Sequence, residues 1–376
     1  MLVSEGNPGA GNPWAGRRVL VTGHSGFKGS WLALWLHALG AEVTGFALPA
    51  PTDPSLFEAA QLAGLIRHVE GDVRDPAAVR RVVAEARPEM IFHLAAQPLV
   101  RLSYREPVET YATNVMGTVH VLEAARQAEG VAGIVCVTSD KCYENREWVW
   151  PYRESDPMGG HDPYSSSKGC AELVVSAYRN SFFSEGGPAV ASVRAGNVIG
   201  GGDWAEDRLV PDLVRAFRQG AAPVIRSPEA VRPWQHVLEA LGGYLMIAER
   251  LLAGEARFAD AWNFGPADDD ARPVSWIVDR MKAAWGDGAS AAMPFSGARP
   301  HEAGLLRLDC SKARAALGWR PALALEDAID WIVEWHRAVD DGHNPRAVTL
   351  AQIAEYRRRA GHGSAAGAPA AGTMAA

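Results

Sequence analysis

The stretch RVLVTGHSGFKG, residues 18–29, decides the fold. Its first half, RVLVTG (18–23), is an apolar run that reads as a strand. Its second half, TGHSGFKG (22–29), sets Gly23, Gly26 and Gly29 in a G-x-x-G-x-x-G arrangement before a helix predicted over 27–39. Glycines permit a tight turn and let a pyrophosphate approach backbone N–H groups at the positive end of a helix. Three glycines also serve a plain strand–helix crossing, so the pattern alone is weak. Its place between the first strand and the first helix favours nucleotide binding, with Phe27 counted among the cofactor-binding residues.

Outward from this turn, further strands are expected at AEVTGFAL (41–48), IRHVEGDV (66–73), EMIFHLAA (89–96) and GIVCV (133–137), with a sixth inside 189–200. Helices are expected over 76–86, over 107–129 and from near Asp162. Strands alternating with helices at this spacing imply an α/β fold, a Rossmann-type doubly wound parallel sheet. Apolar runs without alternation fit strands covered on both faces. After Gly200 the pattern changes to a loop and helix, a mixed segment (223–237), a helical stretch (238–253) and a helix near 325–338. The expected organisation is a dinucleotide-binding core over 17–200 and a smaller mixed α/β lobe over 201–340 that binds substrate, with some chain returning to the core. Residues 360–376 lie in a low-complexity tail, GHGSAAGAPAAGTMAA, for which disorder is expected.

At 376 residues the chain is long enough for two domains, and 48% apolar with 22% charged residues is ordinary for a soluble globular protein. A net charge of −7 argues against a general binder of nucleic acid or anionic membranes. GSWLALWLHALG (29–40) is the most apolar stretch, but it is too short to cross a bilayer and is interrupted by His37. Cys136, Cys142, Cys170 and Cys310 lack zinc-site spacing and read as reduced, packed thiols of a cytoplasmic protein, with no metal expected.

The second strand ends GFALPAP, with no carboxylate or arginine to choose between NAD and NADP. Asp72, followed by Val73 at the end of the third strand, either caps a loop or accepts from an adenine amine. Ala95, Ala96 and Gln97 end the fourth strand in small residues that allow a cofactor to cross the sheet edge or a helix to pack closely. The fifth strand delivers Thr138 and Ser139, then Asp140 and Lys141; on an extended chain the last two point to opposite faces. Tyr164 and Lys168 form Y-x-x-x-K, a spacing that puts both on one helix face. There an ammonium beside a phenol lowers the tyrosine pKa and yields a base for an alcohol about to lose hydride. In the smaller lobe Asn197, Asp203, Trp204 and Arg208 are followed by Arg232, Trp234, Gln235 and His236. Arginines fork onto a diphosphate, so Arg208 and Arg232, with Asn197 and Gln235, are the substrate-binding candidates. Trp204 and Trp234 read as core, His236 as a structural hydrogen bonder and Cys142 as packing.

These residues together resemble the extended short-chain dehydrogenase/reductase family, in its nucleotide-sugar branch, over roughly residues 17–340. The resemblance is carried by VTGHSGFKGSWLALWL, HLAAQPLVRLSY, TSDKCYENREWVW, DPYSSSKGCAEL, RAGNVIGGGDWAEDRLVPD and RPWQHVLE, in that order. It implies a tightly held NAD that is reduced and reoxidised within each turnover, a nucleotide-sugar substrate and a homodimer built through helices 107–129 and 162–181. It also implies catalytic roles for Ser139, Asp140, Lys141, Tyr164 and Lys168, with Tyr164 and Lys168 touching the cofactor too. The related dTDP-glucose dehydratases carry Asp-Glu where this sequence has Asp140-Lys141, and lysine is what the CDP-glucose branch shows. Pro151 stands where glycine is usual in WVWGYRE, a loop detail. Lysine and aspartate side by side raise a difficulty, because an ion pair would hold the amine protonated and the carboxyl ionised, the wrong states for a base and an acid. A 4-epimerase needs the tyrosine and lysine but no acid at position 140, and a dinucleotide sensor has no use for a proton relay.

Overall fold

The computed structural model describes residues 12–290, 293–294 and 304–361. Twelve strands are found among them: β1 (Arg18–Thr22), β2 (Glu42–Ala47), β3 (Arg67–Glu70), β4 (Met90–His93), β5 (Gly133–Val137), β6 (Ala189–Ala195), β7 (Asn197–Ile199), β8 (Val224–Ile225), β9 (Val231–His236), β10 (Ala261–Phe264), β11 (Ala271–Pro273) and β12 (Met293–Pro294). Seven form one parallel sheet in the order β10-β6-β5-β4-β1-β2-β3. The strand order reverses between β1 and β4, the place where doubly wound sheets leave a crevice beyond their carboxyl ends. The candidate glycine turn lies at one side of that crevice.

Both sheet faces are covered, which explains the unbroken apolar strands. On one face Trp31, Leu34 and Trp35 of the Phe27–Ala38 helix pack with Leu241, Tyr244 and Ala248 of the Val237–Leu252 helix. On the other, Val79 and Val83 of the Pro76–Ala86 helix meet Val121 and Leu122 of the Gly117–Gln127 helix. A third core, with Leu213, Phe217, Trp234, Ile277, Met281 and Ile332, belongs to the smaller lobe. Its sheet runs β11-β9-β7.

Several elements differ from expectation, each for a local reason. The stretch 189–200 holds two strands. At Gly196 a Cβ would stand 2.3 Å from Pro233 Cγ, so the chain crosses tightly there, leaves the large sheet and pairs with β9. β10 returns to the large sheet as its edge strand. The helix expected over 107–129 is broken into Pro107–Tyr111, a π turn at Ala112–Met116 and Gly117–Gln127, and a further helix, Val100–Arg105, precedes it. Pro107 cannot continue the preceding helix. The π turn swings Asn114 inward to donate to the Gln97 carbonyl and to Ser167 Oγ. Helices Val274–Trp285 and Pro345–Arg359 were not anticipated. Residues 362–376 of the tail lie outside the described residues. Among the described residues no helix is long and apolar enough to cross a membrane.

Candidate active site

Ser139 stands at the end of β5, where its hydroxyl caps a 3₁₀ turn, Asp140–Cys142, by accepting from the Lys141 N–H at 3.2 Å. The same hydroxyl donates to Asp140 Oδ1 at 3.0 Å and is hydrogen-bonded to the Tyr164 phenol. The turn replaces the extended chain expected here. It carries Asp140 inward, 2% exposed, and leaves Lys141 partly buried. No ion pair joins the two among the described residues. Asp140 Oδ2 is buried without a hydrogen-bond partner. Burial pushes the Asp140 carboxyl up, against the opposing pull of Lys141, the Ser139 hydrogen bond, Arg232 and Lys28. That is the direction an acid requires, so the difficulty posed by the Asp-Lys pair does not arise for Asp140.

Tyr164 and Lys168 lie one turn apart on the Pro163–Ser181 helix, which starts at an Asp162 cap with proline in its first turn. Asp162 accepts from the Ser165 N–H at 2.9 Å, satisfying a donor that the helix start leaves free. Tyr164 is 8% exposed and its main-chain N–H donates to Ser103 Oγ. The expected lowering of the phenol is not what the free protein displays. Burial pushes Tyr164 up to about 12, with Ser139 pulling the other way. Burial likewise brings the Lys168 amine down to about 8. That amine donates to the Val137 carbonyl at 3.3 Å, which uses one of its three N–H donors and leaves two for other partners.

At the glycine turn Gly23 adopts φ +77°, and a Cβ there would meet Ala95 N at 2.7 Å. A Cβ on Gly29 would stand 2.1 Å from the Gly23 carbonyl oxygen. These two glycines are required by the turn itself. Gly26 is different: it caps the Phe27–Ala38 helix with no side-chain hydrogen bond, no acid occupies the first turn, and only one contact at 3.5 Å faces its missing Cβ. An uncapped, acid-free helix start with open approach fits a dinucleotide pyrophosphate. Phe27 packs under the turn at Gly200. The Asp72 carboxylate caps its own loop, taking the Arg74 N–H and its guanidinium at 2.6–2.8 Å. Val73 is buried against Gly117. Ala95 and Ala96 are partly buried, while the Gln97 side chain is engaged with Thr110 and Leu99.

From the smaller lobe Arg208 and Arg232 act on Tyr164 and Asp140 respectively. Arg208 pairs with Asp203 at 3.2 Å and is felt electrostatically by Tyr164 and Lys28. Arg232 is buried, donates to the Val231 and Gly304 carbonyls and acts on Asp140. Gln235 donates to the Phe264 carbonyl at 2.7 Å and keeps Oε1 buried without a partner. Asn197 opens β7 beside Trp234. Trp234 is core, Trp204 packs on Trp335, and His236 caps the Val237–Leu252 helix through Nδ1.

Glu172, Arg194, Lys28 and Tyr244 escaped the sequence reading. Thr138 does not join Ser139 at the phenol; its hydroxyl donates to Glu172, which is ion-paired to Arg194. Lys28 and Tyr244 face Asp140 from two other helices. The signal for Lys28 was available: a lysine inside the glycine turn, where helix packing asks for an apolar side chain.

The family model described as GDP-mannose 4,6 dehydratase matches residues 20–331. The chain is 55% identical over 350 residues to a CDP-glucose 4,6-dehydratase of Salmonella typhimurium, covering 92% of this chain and 97% of that protein. Among solved structures it is similar to the dTDP-glucose 4,6-dehydratase of Streptomyces venezuelae with NAD bound, at 26% identity and TM-score 0.71 over 88% of this chain and 99% of that one. A UDP-glucose 4-epimerase of Thermus thermophilus in complex with NAD is 25% identical, TM-score 0.73, over 85% of this chain and 99% of the other.

Proposed function

The chain belongs to the GDP-mannose 4,6 dehydratase family, and on that premise we propose that it is an NAD-dependent hydro-lyase converting CDP-D-glucose to CDP-4-dehydro-6-deoxy-D-glucose and water. One observation carries the reading: the Ser139 hydroxyl is shared by the Tyr164 phenol and the Asp140 carboxyl, and the second oxygen of that carboxyl is unpartnered. A base and an acid are thus held on one hydroxyl, as a reaction needs that removes a proton at carbon 4 and a hydroxyl at carbon 6. A 4-epimerase has no work for that acid.

Gly23, Gly26, Phe27 and Gly29 would hold the dinucleotide pyrophosphate, with Asp72 and Val73 toward the adenosine end. Ala95, Ala96 and Gln97 would line its path, and Tyr164 and Lys168 would meet the nicotinamide ribose. When bound, NAD would supply the hydride chemistry needed at carbons 4 and 6 and, in its oxidised form, a positive charge that would lower a neighbouring phenol.

Tyr164 takes the proton of the 4-hydroxyl, Ser139 orients that hydroxyl, and Lys168 holds the phenolate. The ketone formed at carbon 4 acidifies the carbon 5 hydrogen, which is assigned to the Lys141 amine. Asp140, kept as an acid by burial, protonates the departing 6-hydroxyl. Arg208, Arg232, Asn197 and Gln235 bind the nucleotide diphosphate and sugar from the lobe.

A homodimer is part of the proposal. Val108 (77% exposed), Tyr111 and Met116 stand on one helical run, and Leu173 (60% exposed) and Phe182 on or beside the neighbouring helix; they form an apolar face that a second copy would cover. Four free cysteines support a cytoplasmic location. The test is to incubate the protein and NAD with CDP-, dTDP-, GDP- and UDP-glucose and follow 4-ketosugar absorbance in alkali. The CDP sugar should turn over fastest; no turnover of any of them, with NAD bound, sinks the reading.

A further inference from the structure

We propose that Lys28 is a third lysine of the catalytic centre and acts through Asp140, stabilising the carboxylate left behind once Asp140 has given its proton to the departing 6-hydroxyl. The inference rests on the dehydratase reading above and adds a residue to it.

Lys28 is the second residue of the Phe27–Ala38 helix, directly behind the glycine turn. Its amine lies 5.8 Å from the centroid of the Tyr244 ring, a cation over an aromatic face, and has no hydrogen-bond acceptor among the described residues. Burial, then Arg208 and Lys168, push it down to about 7, while Asp140 pulls it up. Tyr244 is fully buried, and its hydroxyl has no partner. Burial raises that phenol, and the charges of Tyr164 and Asp140 raise it further. Lys28 Nζ, Tyr244 OH and Asp140 Oδ2 are thus three polar groups without hydrogen-bond partners among the described residues, near enough to act on one another electrostatically.

Three cations act on Asp140: Lys141 most strongly, then Arg232, then Lys28. Asp140 is faced by Lys141 and Cys142 from its own turn, by Arg232 from β9, by Tyr164 from the Pro163–Ser181 helix, by Tyr244 from the Val237–Leu252 helix and by Lys28. Lys168, on the same helix as Tyr164, and Arg208 act on Lys28. In the elimination the C6–O6 bond breaks with its electrons going to O6, and O6 takes the Asp140 proton and leaves as water. The C5–H electrons form the C5–C6 double bond, and the C5 proton passes to Lys141. Lys141 gains its charge only in that step, and Arg232 already gives Nη1 to two carbonyls. Lys28 is a cation already in place, with no acceptor of its own among the described residues, when the carboxylate forms, and Asp140 Oδ2 receives no hydrogen bond. A preorganised charge aimed at a developing one lowers the barrier of that step.

The test uses the full chain with NAD and CDP-glucose in single turnover. Lys28→Met keeps the side-chain volume and removes the charge. Reduced nicotinamide should form within ~3-fold of the wild-type rate, while water loss slows ~10–100-fold, so that reduced cofactor accumulates. The alkaline limb of water loss should move to higher pH, because removing a cation raises the Asp140 carboxyl. In Lys28→Ala, added ethylamine should restore part of the water-loss rate. Unchanged rates and an unmoved limb overturn the proposal. Equal slowing of both steps with no pH displacement and no amine rescue overturns it too, as the mark of a merely structural lysine. Absence of wild-type turnover would instead defeat the dehydratase reading itself.

Discussion

Glu172 and Arg194 form an ion pair at 2.7 Å, each side chain 4% exposed, beneath the strand end that carries Ser139. Glu172 also accepts from Thr138 and Ser192, and Arg194 donates to the Tyr143 hydroxyl, which donates to Asn263. The network ties the catalytic helix to the ends of β5, β6 and β10. It takes up the Thr138 hydroxyl, so that Ser139 alone of the adjacent pair meets the phenol. Burial works against the Glu172 charge, but Arg194 and the hydroxyl hydrogen bonds hold the carboxyl below its usual range.

Removing one partner of such a pair leaves the other charged and buried. Glu172→Ala should cost ~3–5 kcal/mol of stability, read as a lower midpoint in denaturant. A midpoint equal to wild type would show that the pair does not hold the site together.

Asp140→Asn should lose water elimination yet gain stability. The folded Asp140 carboxyl is raised by burial. Its contribution to stability is therefore full below the unfolded value, near pH ~4, and is lost as pH rises through the folded value. At neutral pH the wild type carries a cost that asparagine lacks, read as a higher Tm for the variant. The difference should shrink as pH falls toward ~4; a lower Tm for the variant at neutral pH contradicts the burial argument.

How much of this was legible in the sequence depends on range. The glycine turn, the strand–helix alternation and the start of the catalytic helix at Asp162 are local, and all appear where the residues placed them. The split at Gly196 and the return of β10 depend on contacts with Pro233 and β6, far along the chain. The Pro345–Arg359 helix had a readable start, Asn344 then Pro345, but ends in three arginines and buries only Thr349, Ile353 and Tyr356. At the site, Y-x-x-x-K gave the pairing of helix positions. The burial that reverses the expected tyrosine shift comes from residues packed around it and was not readable from spacing.

Lys141→Met separates the two halves of the reaction. Exchange of the carbon 5 hydrogen with solvent should collapse, while hydride removal from carbon 4 persists. Retained exchange at the normal rate rules out Lys141 as the base there.

The apolar face formed by Val108, Met116 and Leu173 predicts assembly. Leu173→Asp puts a charge on the exposed side of the Pro163–Ser181 helix and should shift sedimentation from dimer to monomer, with the helix content unchanged. A wild-type chain that sediments as a monomer removes the need for a partner copy.

The most direct measurement is a stopped-flow trace of reduced-nicotinamide absorbance in Tyr164→Phe, mixed with NAD and CDP-glucose. Without the phenol the 4-hydroxyl keeps its proton, and the absorbance should rise ~10²–10⁴-fold more slowly than in wild type. A rise at the wild-type rate would mean that another group takes that proton, and the assignment of Tyr164 as the base would fall.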